Sequence, residues 1–476
     1  MATKKDLVEA YSFSRRRLVT AFVSGAPGGR EVEPARPGRT IVGGVALAVL
    51  LMAGAAIAGV FDPKTSIDWD EPAFIIAKDK GSIYVIVDRA EGDTEPALRP
   101  ITNVTSAQLI LGADVEPVYV PLEEITKRNT GPTIGILDAP ATVPDESQLI
   151  QSGWTACTDT GHGIKTQVTT DPQVTPTPDV GFVVRHDDQL FLIAEEPATA
   201  TKPARAYRYA MPADERLSSD LQVPLPEDAV EVPALWLELF DEGGSLDAEG
   251  LGLERAGQLP QFAGAERLPN NVRVGDYYRD VNGQPAVITN RGVATFSEFA
   301  FRVLLHAEFG GRRPHQRPIP AEAQLPAVKP PYEETDAHWP QGTLGRGDGE
   351  VCAVLQAGHD VQPAVRLAQA PGEDASAADL TSPGTKEAAV DSGHGAYVLS
   401  GGFSDSSEGA EPVLVDERGR AYPLAGPDTA EKLGYEDDDW SLVPESWLDL
   451  FGKGVELSVD AALCPPTTKK GQETCR

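Results

Sequence analysis

Residues Ile41 to Phe61, IVGGVALAVLLMAGAAIAGVF, form a run of 21 residues without a charge. As a helix such a run spans roughly 31 Å, close to the hydrocarbon core of a bilayer. A chain carrying it is expected to be divided by a membrane. Residues 1–40 hold eight Lys/Arg against four Asp/Glu, with Arg30, Arg36 and Arg39 close to the run, whereas the other flank opens on Asp62, Asp68, Asp70 and Glu71. The positive-inside rule places the N-terminus in the cytoplasm and residues 62–476 outside the cell membrane. Two export signals offer alternative readings of this region. Ala56-Ile57-Ala58 resembles a cleavage site, but the apolar run begins late and is longer than a signal core. Ser14-Arg15-Arg16-Arg17-Leu18 has the look of a twin-arginine signal, but a long hydrophilic stretch separates it from the apolar run. An uncleaved single-pass transmembrane helix is therefore expected.

Ahead of it, Leu7–Val23 mixes Leu7, Val8, Tyr11, Phe13, Leu18, Val19, Phe22 and Val23 with basic residues. This reads as a cytoplasmic amphipathic helix beside the inner leaflet. Beyond the membrane the chain holds 33 basic and 68 acidic residues, a net −35 that makes nucleic acid an unfavourable partner. All four cysteines lie there, where disulfides persist. Cys464 and Cys475 flank a short loop and can pair locally, which leaves Cys157 to pair with Cys352. A zinc site is the weaker alternative, because the sequence holds no CxxC and no closely spaced histidine pair.

Forty prolines and 46 glycines point to many turns rather than a helical bundle. Four stretches repeat one scheme of β-rich run, polar turn, apolar run and short helix: Ile83–Gly112, Phe182–Met211, Asp276–Leu305 and Pro412–Leu424. Asn282-Gly283 and Arg418-Gly419 suit hairpin turns. A nine-residue phrase occurs twice, VPALWLELF at 232–240 and VPESWLDLF at 443–451, once after the second hairpin and once after the fourth. Trp154-x-x-Cys157 precedes the first copy as Val351-Cys352 precedes the second, so the exported part reads as a tandem duplication. Within the phrases Trp236, Leu239 and Phe240, and Trp447, Leu450 and Phe451, sit at i, i+3, i+4, and are expected to be packing anchors.

The chemistry of an enzyme is missing. There is no P-loop and no G-x-S-x-G elbow. Asp391-Ser392-Gly393-His394 places Ser, His and Asp too close in sequence to form a triad alone. The histidines are scattered, and His162 and His359 follow the two central cysteines as duplication would leave them rather than as metal ligands. The run Glu436–Asp439 has adjacent rather than alternating carboxylates, unlike an EF-hand loop, and Arg346-Gly347-Asp348 is a three-residue match in a Gly-rich loop that carries little weight. No catalytic, cofactor or metal residue is expected, and no cofactor. Tyr277-Tyr278 look exposed and keep a carbohydrate-binding surface in view.

The ordered series EAYSFSRRRLVTAFVSG (9–25), the apolar run, TNVTSAQLILG (102–112), WTAC (154–157), VCAV (351–354) and GHGAYVLSG (393–401) resembles the EccB family, the single-pass membrane component of the type VII (ESX) secretion system. The resemblance implies an α+β, β-rich, elongated extracytoplasmic domain with a central β core and four repeat modules in quasi-twofold arrangement. It maps the family's cysteine pair onto Cys157 and Cys352. The expected segments are 1–40 (cytoplasmic), 41–61 (transmembrane), 62–130 (first module), 131–180 (core, first half), 181–245 and 246–315 (second and third modules), 316–395 (core, second half), 396–456 (fourth module) and 457–476 (tail). The implied partners are the EccC ATPase, EccD, EccE, the mycosin protease and a second EccB. The implied role is structural support of protein export, with a membrane-anchored ATP- or wall-hydrolysing enzyme as the alternative. The ATPase label that some family members carry finds no nucleotide motif here.

Overall fold

The computed structural model describes residues 4–24, 67–88, 96–200, 202–319, 324–369, 381–404, 406–436 and 438–466. The chain divides into two units, Met1–Ser66 and Ile67–Arg476. In the first, Lys4–Ser24 is a helix that exposes Val8, Tyr11, Leu18 and Val19. The apolar run 41–61 lies outside the described residues. Among the described residues no helix is long and apolar enough to cross a membrane.

The second unit is a β-rich α+β fold of five sheets. The central one orders its strands Lys386–Val390, Ile164–Val168, Trp154–Thr158, Val351–Gln356, Ala364–Gln369 and Thr175–Pro176. Its middle pair is antiparallel, with Trp154 opposite Leu355, Ala156 opposite Ala353 and Cys157 opposite Cys352. Side chains alternate across a strand, so Trp154, Ala156, Ala353 and Leu355 enter the largest core cluster. Cys157 and Cys352 fall on the other face, in a small cluster with Ala368.

The four hairpin stretches each build a sheet. The first runs Leu98–Pro100, Ile83–Ile86, Ala73–Ala77, Pro117–Val120; the third runs Tyr277–Arg279, Pro285–Ile288, Val293–Thr295, Ala327–Val328. The second and fourth share a five-strand order. A three-strand antiparallel meander (Val180–His186, Gln189–Glu196, Arg205–Met211; Ala396–Gly401, Glu411–Val415, Arg420–Pro423) is flanked on both edges by short parallel strands. Those flanking strands, Val230–Glu231 with Asp241–Glu242 and Ser441–Pro444 with Gly452–Lys453, enclose the two nine-residue phrases.

Two hairpin turns share one mechanism. Asp280 Oδ1 accepts from the amides of Asn282 and Gln284, both at 2.8 Å, and Asp416 Oδ1 accepts from Arg418 and Arg420 at 3.1 and 2.9 Å. Gly283 and Gly419 take φ of 80° and 68°, open to glycine at little cost. The TNVTSA motif is a helix start. Asn103 caps Val104–Leu111 by accepting from the Ser106 amide, while its Nδ2 donates to the Ile136 carbonyl at 2.7 Å, tying the helix to the following loop.

Packing joins the modules in pairs. The Val104–Leu111 helix packs on Val459–Ala462 and Thr429–Lys432, so the first module shares a core with the fourth. Leu457, Ala461 and Ala462, in the segment read as a tail, are buried in that core. Glu298–His306 packs on Glu215–Leu221, so the third module shares a core with the second. Tyr277 and Tyr278 do not form an exposed patch: Tyr277 meets Phe301 edge-on at 4.9 Å and Tyr278 packs into the third module's own core.

The third module is held at its rim by Asp276, which is fully buried. Its carboxylate accepts from Arg312 Nη2 at 2.7 Å, Arg317 Nε at 3.0 Å and the amides of Arg273 and His315 at 3.0 Å each. Removing one partner of such a network leaves the others desolvated and unpaired. Asp276→Ala is expected to cost about 3 kcal/mol. Amide hydrogen exchange across 273–279 and 309–317 should accelerate while exchange in the first module stays unchanged; protection unaltered at the rim would contradict the assignment.

Candidate functional site

Cys157, Cys352 and the two nine-residue phrases converge on the central sheet. Cys157 and Cys352 are bonded, with their Cα atoms 4.0 Å apart, and both are fully buried. Glu350 lies 3.8 Å from the Cys352 sulfur. These three residues are the one metal-like cluster among the described residues, but both sulfurs are consumed by the bridge. Cys464 is buried; its expected partner Cys475 lies outside the described residues.

Each phrase begins on an extended Val-Pro and turns into a single helical turn, Ala234–Leu237 or Glu445–Leu448. Trp236, Leu239, Phe240, Trp447, Leu450 and Phe451 are each at most 1% exposed and lie in the same core cluster over the central sheet. The copies are not identical in their bonding. Trp236 Nε1 donates to the Ala156 carbonyl of the central sheet at 2.9 Å. Trp447 Nε1 is buried with no acceptor. Phe240 packs on Trp236 within its own copy, whereas Phe451 packs edge-on against Trp154 of the sheet.

Where the turns approach each other they leave a cleft of about 310 Å³, walled by Glu238 of one copy and Asp241 of the strand that follows it, and by Glu445 and Asp449 of the other copy. Its one guanidinium, Arg208, is committed to Glu242 at 2.8 Å and to the Leu237 carbonyl. Such walls repel phosphate. A second cleft, about 190 Å³, holds Tyr207 and His338, whose rings stack at 4.4 Å. His338 Nδ1 lies 2.9 Å from Glu196 Oε2.

Burial pushes the Tyr207 phenol up to about 12, against the opposing pull of Arg205. Burial likewise raises Tyr422 to about 12 and Tyr435 further. A phenol whose folded pKa lies above the ordinary 10 stays neutral where the unfolded chain ionises. Stability is thus intact below pH 10 and falls from pH 10 upward. Absorbance at 295 nm should show these phenols titrating well above pH 10, together with unfolding; three more phenols titrating near 10 in the folded chain would contradict this.

Neither cleft brings a nucleophile onto a base. His394 Nδ1 faces the Ser392 carbonyl, and Asp391 accepts from Thr169 and Thr170, so the Asp-Ser-Gly-His stretch makes turn contacts. His162 lies beside the Thr160 carbonyl, and His359 packs on Trp440.

Residues 1–468 match the family described as Type VII secretion system ESX-1, transport TM domain B. The chain belongs to the EccB family. The ESX-1 secretion system ATPase EccB1 of Mycolicibacterium smegmatis is 26% identical over 447 residues, 89% of this chain and 87% of that protein. The ESX-2 secretion system ATPase EccB2 of Mycobacterium tuberculosis is 29% identical over 239 residues, 44% of this chain and 46% of that protein. Among solved structures, a chain of the intact ESX-5 inner membrane complex superposes with a TM-score of 0.60 at 19% identity, covering 100% of this chain and 98% of that one. The EccB3 dimer from the ESX-3 core complex gives 0.58 at 18% identity, covering 82% and 100%. Membership in EccB makes the chain a component of the type VII secretion system. The fold shared with those structures is the β-rich α+β arrangement described above.

Proposed function

We propose that this EccB is a non-catalytic scaffold, anchored once through 41–61 with its acidic domain outside the membrane. It would join the EccC ATPase, EccD, EccE, the mycosin protease and a second EccB. The observation that carries the reading is the central sheet: strands from 154–176 and from 351–390 meet in it, both tryptophan turns pack on it, and a disulfide crosses its middle pair. That design favours rigidity over turnover. The matched five-strand orders of the second and fourth modules, each closed by one phrase copy, support a duplicated domain of four modules. Cys464 pairs with Cys475 in this reading, and Trp236, Phe240, Trp447 and Phe451 anchor the two halves.

Deleting the gene is expected to abolish export of ESX substrates; unchanged export removes the proposal. The relatives' names carry the word ATPase, which keeps one rival in view. Nucleotide turnover by the purified chain that disappears on one defined point substitution would favour that rival.

A further inference from the structure

One face of the first module is left incompletely covered. Along Ala73–Ala77 and Ile83–Ile86 the side chains alternate between the two faces of the sheet. Phe74, Ile76, Ile83 and Val85 face the Val104–Leu111 helix, which is itself packed into the fourth module. Ile75, Ala77 and Ile86 point the opposite way, into a cluster drawn only from residues 67–125. Among the described residues no other module adds to that cluster. Its rim is apolar and half-buried: Ile67, Trp69, Ala73, Tyr84, Val118 and Leu122.

Trp69 stands apart from the other tryptophans. Trp154, Trp236, Trp339 and Trp447 are each at most 2% exposed, and Trp440 packs on His359. Trp69 is half-buried, and among the described residues its Nε1 has no acceptor. The Arg128 guanidinium lies over its ring at 4.8 Å and has no carboxylate partner among the described residues. Lys127, by contrast, is held by Glu123 and Glu124 at 3.3 and 3.1 Å. Asp68, Asp70 and Glu71, next to Trp69 in the chain, are exposed.

Chain length indicates what this face meets. The apolar run ends at Phe61 and the cluster already takes in Ile67, with only Asp62–Ser66 between them. Fully extended, that connection reaches about 20 Å. A half-buried indole with a free N–H suits the boundary between acyl chains and water. A guanidinium suits phosphate oxygens, and exposed carboxylates suit an ammonium. A head group that carries both charges beside an acyl boundary is that of a zwitterionic phospholipid. A wholly anionic leaflet is disfavoured, because residues 62–476 carry a net −35.

We propose that this face of the first module is seated on the extracytoplasmic leaflet. Trp69 lies at the head-group level, Arg128 meets lipid phosphate, and Asp68, Asp70 and Glu71 meet the ammonium of a zwitterionic phospholipid. The proposal rests on the reading of 41–61 as a membrane anchor. The anchor holds the chain in the bilayer, and the seat fixes how the domain stands on it.

The test uses the full-length chain in nanodiscs of phosphatidylethanolamine that include lipid spin-labelled at the head group. The label is expected to quench tryptophan emission of the parent, and Trp69→Phe is expected to lose that quenching. Arg128→Gln, which retains Trp69, should weaken it, with far-ultraviolet circular dichroism confirming the fold of each variant. Quenching that survives unchanged in either folded variant overturns the proposal. Should Trp69→Phe not fold, the Arg128→Gln comparison decides. Discs of phosphatidylglycerol should quench less, and equal or stronger quenching there overturns the head-group assignment. Carbonate extraction of the membranes tests the anchor separately. A chain that resists extraction but shows no quenching overturns the seat alone and leaves the face to a protein partner; a chain that washes out removes anchor and seat together.

Discussion

Replacing Cys352 by serine in the oxidised chain is expected to free one thiol, at Cys157, and to remove about 5 kcal/mol of stability. The magnitude follows from loop length. The bridge closes a separation of 195 residues, and in the chain-entropy treatment a loop of that size restricts the unfolded ensemble by about 5 kcal/mol. Backbone pairing between Trp154–Thr158 and Val351–Gln356 already fixes the folded partners, so the bridge acts on the unfolded chain more than on the native one. Its place on the small face of the sheet, away from the large core, sharpens the prediction. The substitution should leave the packing of Trp236 and Trp447 intact, so tryptophan fluorescence of the folded variant should match the parent while the thermal midpoint falls. Thiol titration after denaturation counts the freed sulfur. An unchanged midpoint would mean that the unfolded chain is already compact across this loop.

Local pattern made much of this fold readable. The β-rich runs flanking Asn282-Gly283 and Arg418-Gly419 are antiparallel hairpins, and the apolar stretch at Phe299–Leu305 is the helix Glu298–His306. Each of those signals is complete within about a dozen residues. What could not be read was pairing between distant segments. Gly345–Arg346 and Asp241–Glu242 are two-residue strands, too short for alternation to register, and their partners are chosen by how whole modules dock. The Asp280 and Asp416 turns carried a signal that was missed: an aspartate three residues before the turn glycine, in both copies. Tyr277-Tyr278 misled because adjacent aromatics look exposed in a strand with one wet face, whereas here both faces of the strand are covered.

The site was legible in its members and not in its asymmetry. Both phrases read as the same packing element, and burial of the two tryptophans is indeed equal. Their hydrogen bonding is not, because the acceptor is a carbonyl of the central sheet, some 80 residues from Trp236 in the chain.

Truncating either tryptophan to alanine is expected to remove about 4 kcal/mol, since each empties a large volume in a close-packed cluster. The sharper comparison is with phenylalanine. Trp236→Phe keeps an aromatic ring but deletes the bond to the Ala156 carbonyl, and a neutral hydrogen bond lost from a buried pair costs about 1 kcal/mol or more. Trp447→Phe deletes an indole N–H that is already buried without an acceptor, so the lost ring volume is offset by relief of an unsatisfied donor. Trp236→Phe should therefore be the more destabilising of the two by about 1–2 kcal/mol. Chemical denaturation of the purified domain, followed by far-ultraviolet circular dichroism, compares them directly. Equal losses would mean that Trp447 finds an acceptor in solution; a larger loss at Trp447 would reverse the order of the two anchors.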